Sequence, residues 1–254
     1  MAHILDLLIL AGIAILSVRL YVTGLHHRYR VFFLYLIFAT LRNGVVVSIG
    51  QQSNAYQKIF VLTEPLEWLF FVLMVLEIYA LVLQDYRGLS TVGRWALITA
   101  VMIALLASGL SLMAPSQSMF IQRSHLMRYY YVAERAVYFS LAVFLLSILS
   151  LLMQYPITLS RNIVVHSMVF SVYFLGNTVL YLLLSMRGKG SIPMVSWALS
   201  GITLAAVGAW LVLLNPAGER RKLRLRPQWM PGREEQLVSQ LNHLNAALLR
   251  ATRK

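Results

Sequence analysis

TEPLEWLFFVLMVLEIYALVL, from Thr63 to Leu83, is apolar enough to cross a bilayer and carries three carboxylates, Glu64, Glu67 and Glu77. A carboxylate in hydrocarbon is costly unless it is paired, hydrogen-bonded or wetted, so the partners of these three locate the polar interior of the protein. Pro65 is tolerated in a first helical turn and disfavoured in an interior one, which predicts a helix starting at Glu64. From there to Leu83 the chain rises about 30 Å, the thickness of a hydrocarbon core. That start places Glu64 and Glu67 in an N-terminal turn, where the helix dipole stabilises negative charge. Glu77 has no such support.

Composition extends the reading outward from this stretch. Of 254 residues 59% are apolar and 12% charged, and the mean hydropathy is +0.71, all far from the norm of soluble domains. Apolar runs of about 20 residues joined by short polar connections predict an all-α fold. The expected architecture is a seven-transmembrane-helix bundle over residues 1–214 and a basic tail over 215–254, with a short helix at 233–250. The spans are Ile4–Val22, Val31–Ile49, Glu64–Leu83, Trp95–Met113, Tyr129–Met153, Ile163–Leu184 and Val195–Leu214. The first run lacks a basic leader and a small-x-small cleavage site, and so reads as an uncleaved helix. Cysteine is absent, which excludes thiolate metal sites, iron–sulfur clusters and cysteine nucleophiles.

Seven spans put the termini on opposite sides. With the N-terminus outside, the inner connections carry Arg28, Arg30, Arg87, Arg94 and Arg161, and the outer ones Lys58, Arg123, Arg128, Arg187 and Lys189. The basic tail breaks this tie and predicts an inner-membrane protein with a cytoplasmic C-terminus. The formal charge of +13 lies beside the spans, which favours anionic lipid headgroups over nucleic acid.

Alternating helix directions sort the intramembrane charges into two layers. The outer layer holds Arg42, Glu64, Glu67, Glu134 and Arg135. It reads either as a structural polar network or as a ligand pocket open to the outside. Such a pocket would lie between the second, third, fifth and sixth spans and be lined by Arg42, Glu67, Tyr131, Glu134, Arg135, Tyr138 and Asn177. Arg42 is its sharpest member because of its depth, and Glu64 its weakest. The inner layer holds Arg19, Glu77 and His166. Here an Arg19–Glu77 pair is expected to lock the first and third spans, with His166 nearby, and a proton-linked switch of Glu77 and His166 is the alternative. No metal site is expected, since Glu134 belongs to the other layer.

Familiar chemistries find little footing. No lysine in the last span could carry a retinal Schiff base, His166 stands alone where a diheme site needs pairs, and phosphate-cradling loops, HExxH and GxSxG are absent. An enzyme is not expected, nor a cofactor. The hydrophobic pattern resembles that of uncharacterised bacterial seven-pass membrane proteins and of the seven-helix input modules of some bacterial sensor kinases. The resemblance covers the spans alone and carries no functional residue over.

The tail offers two contacts. Arg220, Arg221, Lys222, Arg224 and Arg226 suit anionic headgroups at the cytoplasmic face. Leu237, Leu241, Leu244 and Leu248 form an apolar stripe whose opposite face is polar without being basic, which favours a protein partner or a second copy over a lipid surface. The sequence thus supports a non-enzymatic ligand-binding or sensory membrane module, with a small proton-coupled transporter or a structural subunit of a membrane complex as the rivals.

Overall fold

The computed structural model describes residues 2–49, 54–84, 95, 98–99, 102, 125–154, 158–187, 191–224 and, in the tail, 236, 239–240, 242–243, 245–247 and 250. Six long helices form the body: α1 (Ala2–Val22), α2 (Arg30–Ile49), α3 (Asn54–Val82), α4 (His125–Gln154), α5 (Arg161–Arg187) and α6 (Ile192–Leu213). Each contains a stretch long and apolar enough to cross a membrane. A helix satisfies its backbone polar groups within itself, which hydrocarbon demands. Leu62, Val172 and Val212 are among many large apolar side chains left exposed on the outer faces, as suits helices solvated by lipid. The molecule has the character of a multi-pass membrane protein.

The helices close into a ring. α1 packs between α2 and α6, α6 against α5, α5 against α4, and α3 bridges α2 to α4 and α5. Phe32, Phe71, Phe170, Phe174, Met74 and Leu141 fill the centre and are fully buried. α1 ends where Gly24 turns at φ 72°, a left-handed conformation that costs glycine little, and a single 3-10 turn at Leu25–His27 leads into α2. α6 starts with Pro193 in its first turn, where a missing N–H is no loss.

α3 departs from the expectation. It begins at Asn54, ten residues before Glu64, and runs through Pro65. Glu64 and Glu67 therefore lie inside the helix, and the dipole does not account for them. Proline is tolerated within membrane helices because neighbouring groups satisfy the carbonyl it frees. Glu77, late in α3, meets the start of α2, whereas Glu64, early in α3, meets Glu134, early in α4. Phe71 and Tyr79, further along α3, meet Tyr138 and Phe144, further along α4, in the same order, so α3 and α4 run in the same direction.

Of the predicted fourth span only Trp95, Ile98, Thr99 and Met102 are described, all helical and exposed; the rest of it lies outside the described residues. In the tail, Gln236, Ser239, Gln240, Asn242 and His243 are helical and exposed, while Arg226, Leu237, Leu241, Leu244 and Leu248 lie outside the described residues.

The start of the tail does not hang free. Asn215 caps the single turn α7 (Pro216–Arg220), its Oδ1 accepting from Gly218 N at 2.6 Å. The chain then pairs β2 (Lys222–Arg224) antiparallel with β1 (Thr158–Ser160), in the register Leu159 opposite Leu223. Backbone groups that an open coil would give to water are thereby tied to the foot of α5.

Candidate functional site

Arg42 projects from the second half of α2 toward α3. Glu64 and Glu67 stand three residues apart on α3, one helical turn, so both carboxylates reach the same guanidinium. Arg42 Nη2 donates to Glu64 Oε2 at 2.6 Å, and Nη1 is ion-paired with Glu67 Oε2. Tyr35, two turns before Arg42, donates its hydroxyl to Glu67 Oε1 at 3.2 Å. Glu64, only 3% exposed, is thus an essential member of the cluster and not the marginal one expected from sequence. The Glu134 carboxyl of α4 is within hydrogen-bonding reach of Glu64 and Tyr138, and accepts from the Tyr181 hydroxyl of α5 at 2.6 Å.

This network forms one wall of a cavity of about 320 Å³, within the range of small-ligand sites. α5 adds Tyr173 and Asn177, α6 adds Leu199, Ser200 and Thr203, and α1 adds Asp6, Ile9 and Ile13. Of the seven residues proposed from sequence, Arg42, Glu67, Glu134 and Asn177 line it. Tyr138 is buried behind Glu134, Arg135 is half-buried off the lining, and the Tyr131 side chain lies outside the described ones. Asp6, Tyr35, Tyr173, Tyr181 and Thr203 were missed. Asp6 is a lone acid inside the first apolar run, and the pocket draws on α1 and α6 as well as on the four spans expected.

Asn177 shows what the cavity leaves open. It is 3% exposed, and its Nδ2 donates to Tyr173 O of its own helix at 2.7 Å. Its Oδ1 has no partner among the described residues and remains an acceptor on the cavity wall.

No protein family, curated protein or solved structure matches this chain. Its function is read from the chemistry of its own sites.

The inner layer dissolves into three separate arrangements, and the expected Arg19–Glu77 pair is replaced. Glu77 accepts from Val31 N at 2.9 Å and Phe32 N at 3.2 Å, capping the first turn of α2. Arg19 Nη2 donates to Leu214 O at 2.9 Å, at the end of α6. An anion on a helix N-terminus and a cation on a C-terminus satisfy both charges through backbone groups. His166 touches neither. It is 1% exposed, enclosed by Tyr29, Phe32, Phe170 and Trp210 with ring centroids 4.5–5.8 Å away, and neither ring nitrogen finds a hydrogen bond among the described residues.

A second polar cluster closes the opposite end of the bundle from the cavity. Glu219 of α7 accepts from the Tyr29 hydroxyl at 2.5 Å and from Asn162 Nδ2 at 3.0 Å, and pairs with Arg28 at 3.4 Å. Burial, reinforced by the Glu219 bond and charge, holds the Tyr29 hydroxyl well above its usual pKa. Arg220 and Arg221 remain exposed beside it, and the Lys222 and Arg224 side chains lie outside the described ones. Nothing in the sequence announces the cluster, because Glu219 is a lone acid immediately before the basic tract and its partners Tyr29 and Asn162 lie far away in the chain.

Proposed function

We propose that this is a non-enzymatic seven-span membrane protein that binds a small ligand in the cavity between α1, α2, α3, α4, α5 and α6. The observation that carries the reading is a space of about 320 Å³ whose walls combine an Arg42–Glu64–Glu67 cluster, tyrosines and an Asn177 oxygen that has no partner among the described residues. A closed structural lock would fill that space with side chains.

The parallel course of α3 and α4 supports the seventh crossing. The chain leaves α3 at one end of the bundle and enters α4 at the other, and the apolar stretch Trp95 to Met113 is long enough to make the return. Arg28, Arg30, Arg161, Arg220 and Arg221 all belong to the end away from the cavity, which supports a cytoplasmic position for that end, contact there with anionic lipid, and a cavity facing outward. A proton-coupled carrier using Glu77 and His166 gains no support, because neither residue lines the cavity.

The test is a thermal-unfolding screen of the purified protein in micelles against a broad set of small polar molecules. A ligand should raise the midpoint of the wild type and lose its effect in Asn177→Leu and Arg42→Ala. Breaking a buried ion pair costs about 3–5 kcal/mol, so Asn177→Leu serves as the milder variant. If no member of the set binds the wild type, the charged layer is a lock and the binding reading falls.

A further inference from the structure

We infer that the cavity recognises an uncharged polyhydroxyl compound of monosaccharide size. The inference rests on the binding reading above and deepens it. The charged side chains of the wall, Asp6, Arg42, Glu64, Glu67 and Glu134, are already engaged within the protein. Arg42 is divided between Glu64 and Glu67. Glu134 and Glu64 hydrogen-bond each other, which two carboxyls do only with a proton held between them, and Glu134 also accepts from Tyr181 at 2.6 Å. Asp6 has a partner of its own. A charged ligand would give up its hydration against a wall whose counter-charges are taken.

What the wall leaves open is neutral. Asn177 Oδ1 is an acceptor without a partner among the described residues, on a side chain 3% exposed. Asn43 of α2 and Ser200 of α6 border the same space, and neither side chain makes a hydrogen bond among the described residues. Ser200 differs in this from its neighbours. Thr40, Thr178 and Thr203 on the same three helices return their hydroxyls to the carbonyl four residues back, at 2.7, 2.8 and 3.0 Å, the usual way a helix satisfies a hydroxyl. Asn43, Asn177 and Ser200 thus offer donors and acceptors without formal charge, from three walls. A hydroxyl answers either kind, because it donates one hydrogen bond and accepts two. Several hydroxyls spread around a compact ring reach three walls at once, whereas an amide or urea presents its donors and acceptors from one point. Ile9, Ile13, Ala39, Val46, Val47 and Leu199 give apolar surface to the C–H faces of such a ring. A volume of about 320 Å³ lies at the small end of ligand sites and suits one such molecule rather than a chain of them.

The experiment uses the full chain in micelles of a detergent whose headgroup carries no hydroxyl. The neutral probes are D-glucose, D-galactose, D-mannose and myo-inositol. Glucosamine and glucuronate are their charged counterparts, and cyclohexylmethanol is the hydroxyl-poor one. All are used at millimolar concentration, too dilute for the general stabilisation of proteins by sugars. At least one neutral polyol should raise the unfolding midpoint saturably, by roughly 5 °C or more at about 100 times its Kd. That Kd should rise about fivefold, the loss of one neutral hydrogen bond, in Ser200→Ala and in Asn177→Leu. Ser200 bonds to no described residue, so Ser200→Ala should leave the unliganded midpoint where it is in the wild type. No saturable shift with any neutral polyol, a larger shift with a charged counterpart, an equal shift with cyclohexylmethanol, or a polyol affinity unchanged in both variants would overturn the assignment. The two readings separate cleanly: if the broad screen finds a ligand of another class and Asn177→Leu abolishes its binding, the cavity is a ligand site for something other than a polyol. If that screen is also silent, both fall together.

Discussion

Replacing Gly218 with alanine puts the Glu219 cluster to a direct test. A β-carbon at Gly218 would lie 2.1 Å from Asn162 Oδ1 and 2.9 Å from its Cγ, distances no nonbonded pair tolerates. Asn162 is 0% exposed, so its side chain cannot swing out to solvent without leaving its buried site. To admit the methyl it must give up its donations to Asn215 O at 2.7 Å and Glu219 Oε1 at 3.0 Å. A neutral hydrogen bond contributes about 1 kcal/mol and one to a charged group about 1.5–3 kcal/mol, so Gly218→Ala should cost about 2.5–4 kcal/mol. Asn162→Ala loses the same bonds and should cost a similar amount. The two losses are not independent, because deleting the Asn162 side chain also removes the obstacle. In that background Gly218→Ala should cost under about 1 kcal/mol, giving a coupling of about 1.5 kcal/mol or more. The assay is a double-mutant cycle from denaturant titrations of the four proteins in micelles. Additive losses would show that Gly218 and Asn162 do not share this contact and would refute the described packing of α7.

Three further variants probe the helix ends and the buried histidine. Glu77→Ala should lower stability by about 1–2 kcal/mol, as lost helix caps do, while Glu77→Gln keeps an acceptor for Val31 N and should lose less; equal losses would refute a capping role. His166→Phe should be neutral or stabilising within about 1 kcal/mol, since both ring nitrogens lack partners among the described residues, whereas His166→Ala should open a cavity and cost about 3 kcal/mol. A Phe variant as weak as the Ala one would reveal a hydrogen bond to that imidazole. For Tyr29 the sign follows from the hydroxyl being held above its usual value of 10.0. The fold binds this proton more tightly than the unfolded chain does, so its contribution is complete below about pH 10 and fades as pH rises beyond it. The unfolding midpoints of wild type and Tyr29→Phe should run parallel at neutral pH and converge above pH 10, the wild type falling more steeply.

The helices were legible in sequence because each is an apolar run whose length answers to a bilayer, and Arg42 was legible because a guanidinium that deep needs a partner. What stayed hidden has physical reasons. The partners of Glu77 and Arg19 are backbone groups, the N–H of Val31 and Phe32 and the carbonyl of Leu214, and every sequence position offers those alike. Pro65 marked a helix start only under the assumption that water was at hand to break one. The turn of α7 and the β1–β2 pair are three- to five-residue elements that no periodicity announces. Within the cavity, sequence named the charged wall on α2, α3 and α4 but missed Asp6 and Thr203, because which face of α1 and α6 turns inward is settled by packing.

α2 is fastened to α3 at two heights. Glu77 holds its first turn by the backbone, and Glu64 and Glu67 grip Arg42 eleven residues later, about 16 Å along the axis. One rivet would leave a pivot; two leave a plate. α2 and α3 can neither slide past nor swivel about each other without breaking a charged contact, so they form the stator of the bundle. Any stroke that couples the cavity to the far end must then be made by the moving parts around it, through α5 and α6. Their feet, at Asn162 and Leu214, are the residues that hold Asn215 and Arg19. A push on α5 or α6 would be delivered straight to the Glu219 clasp.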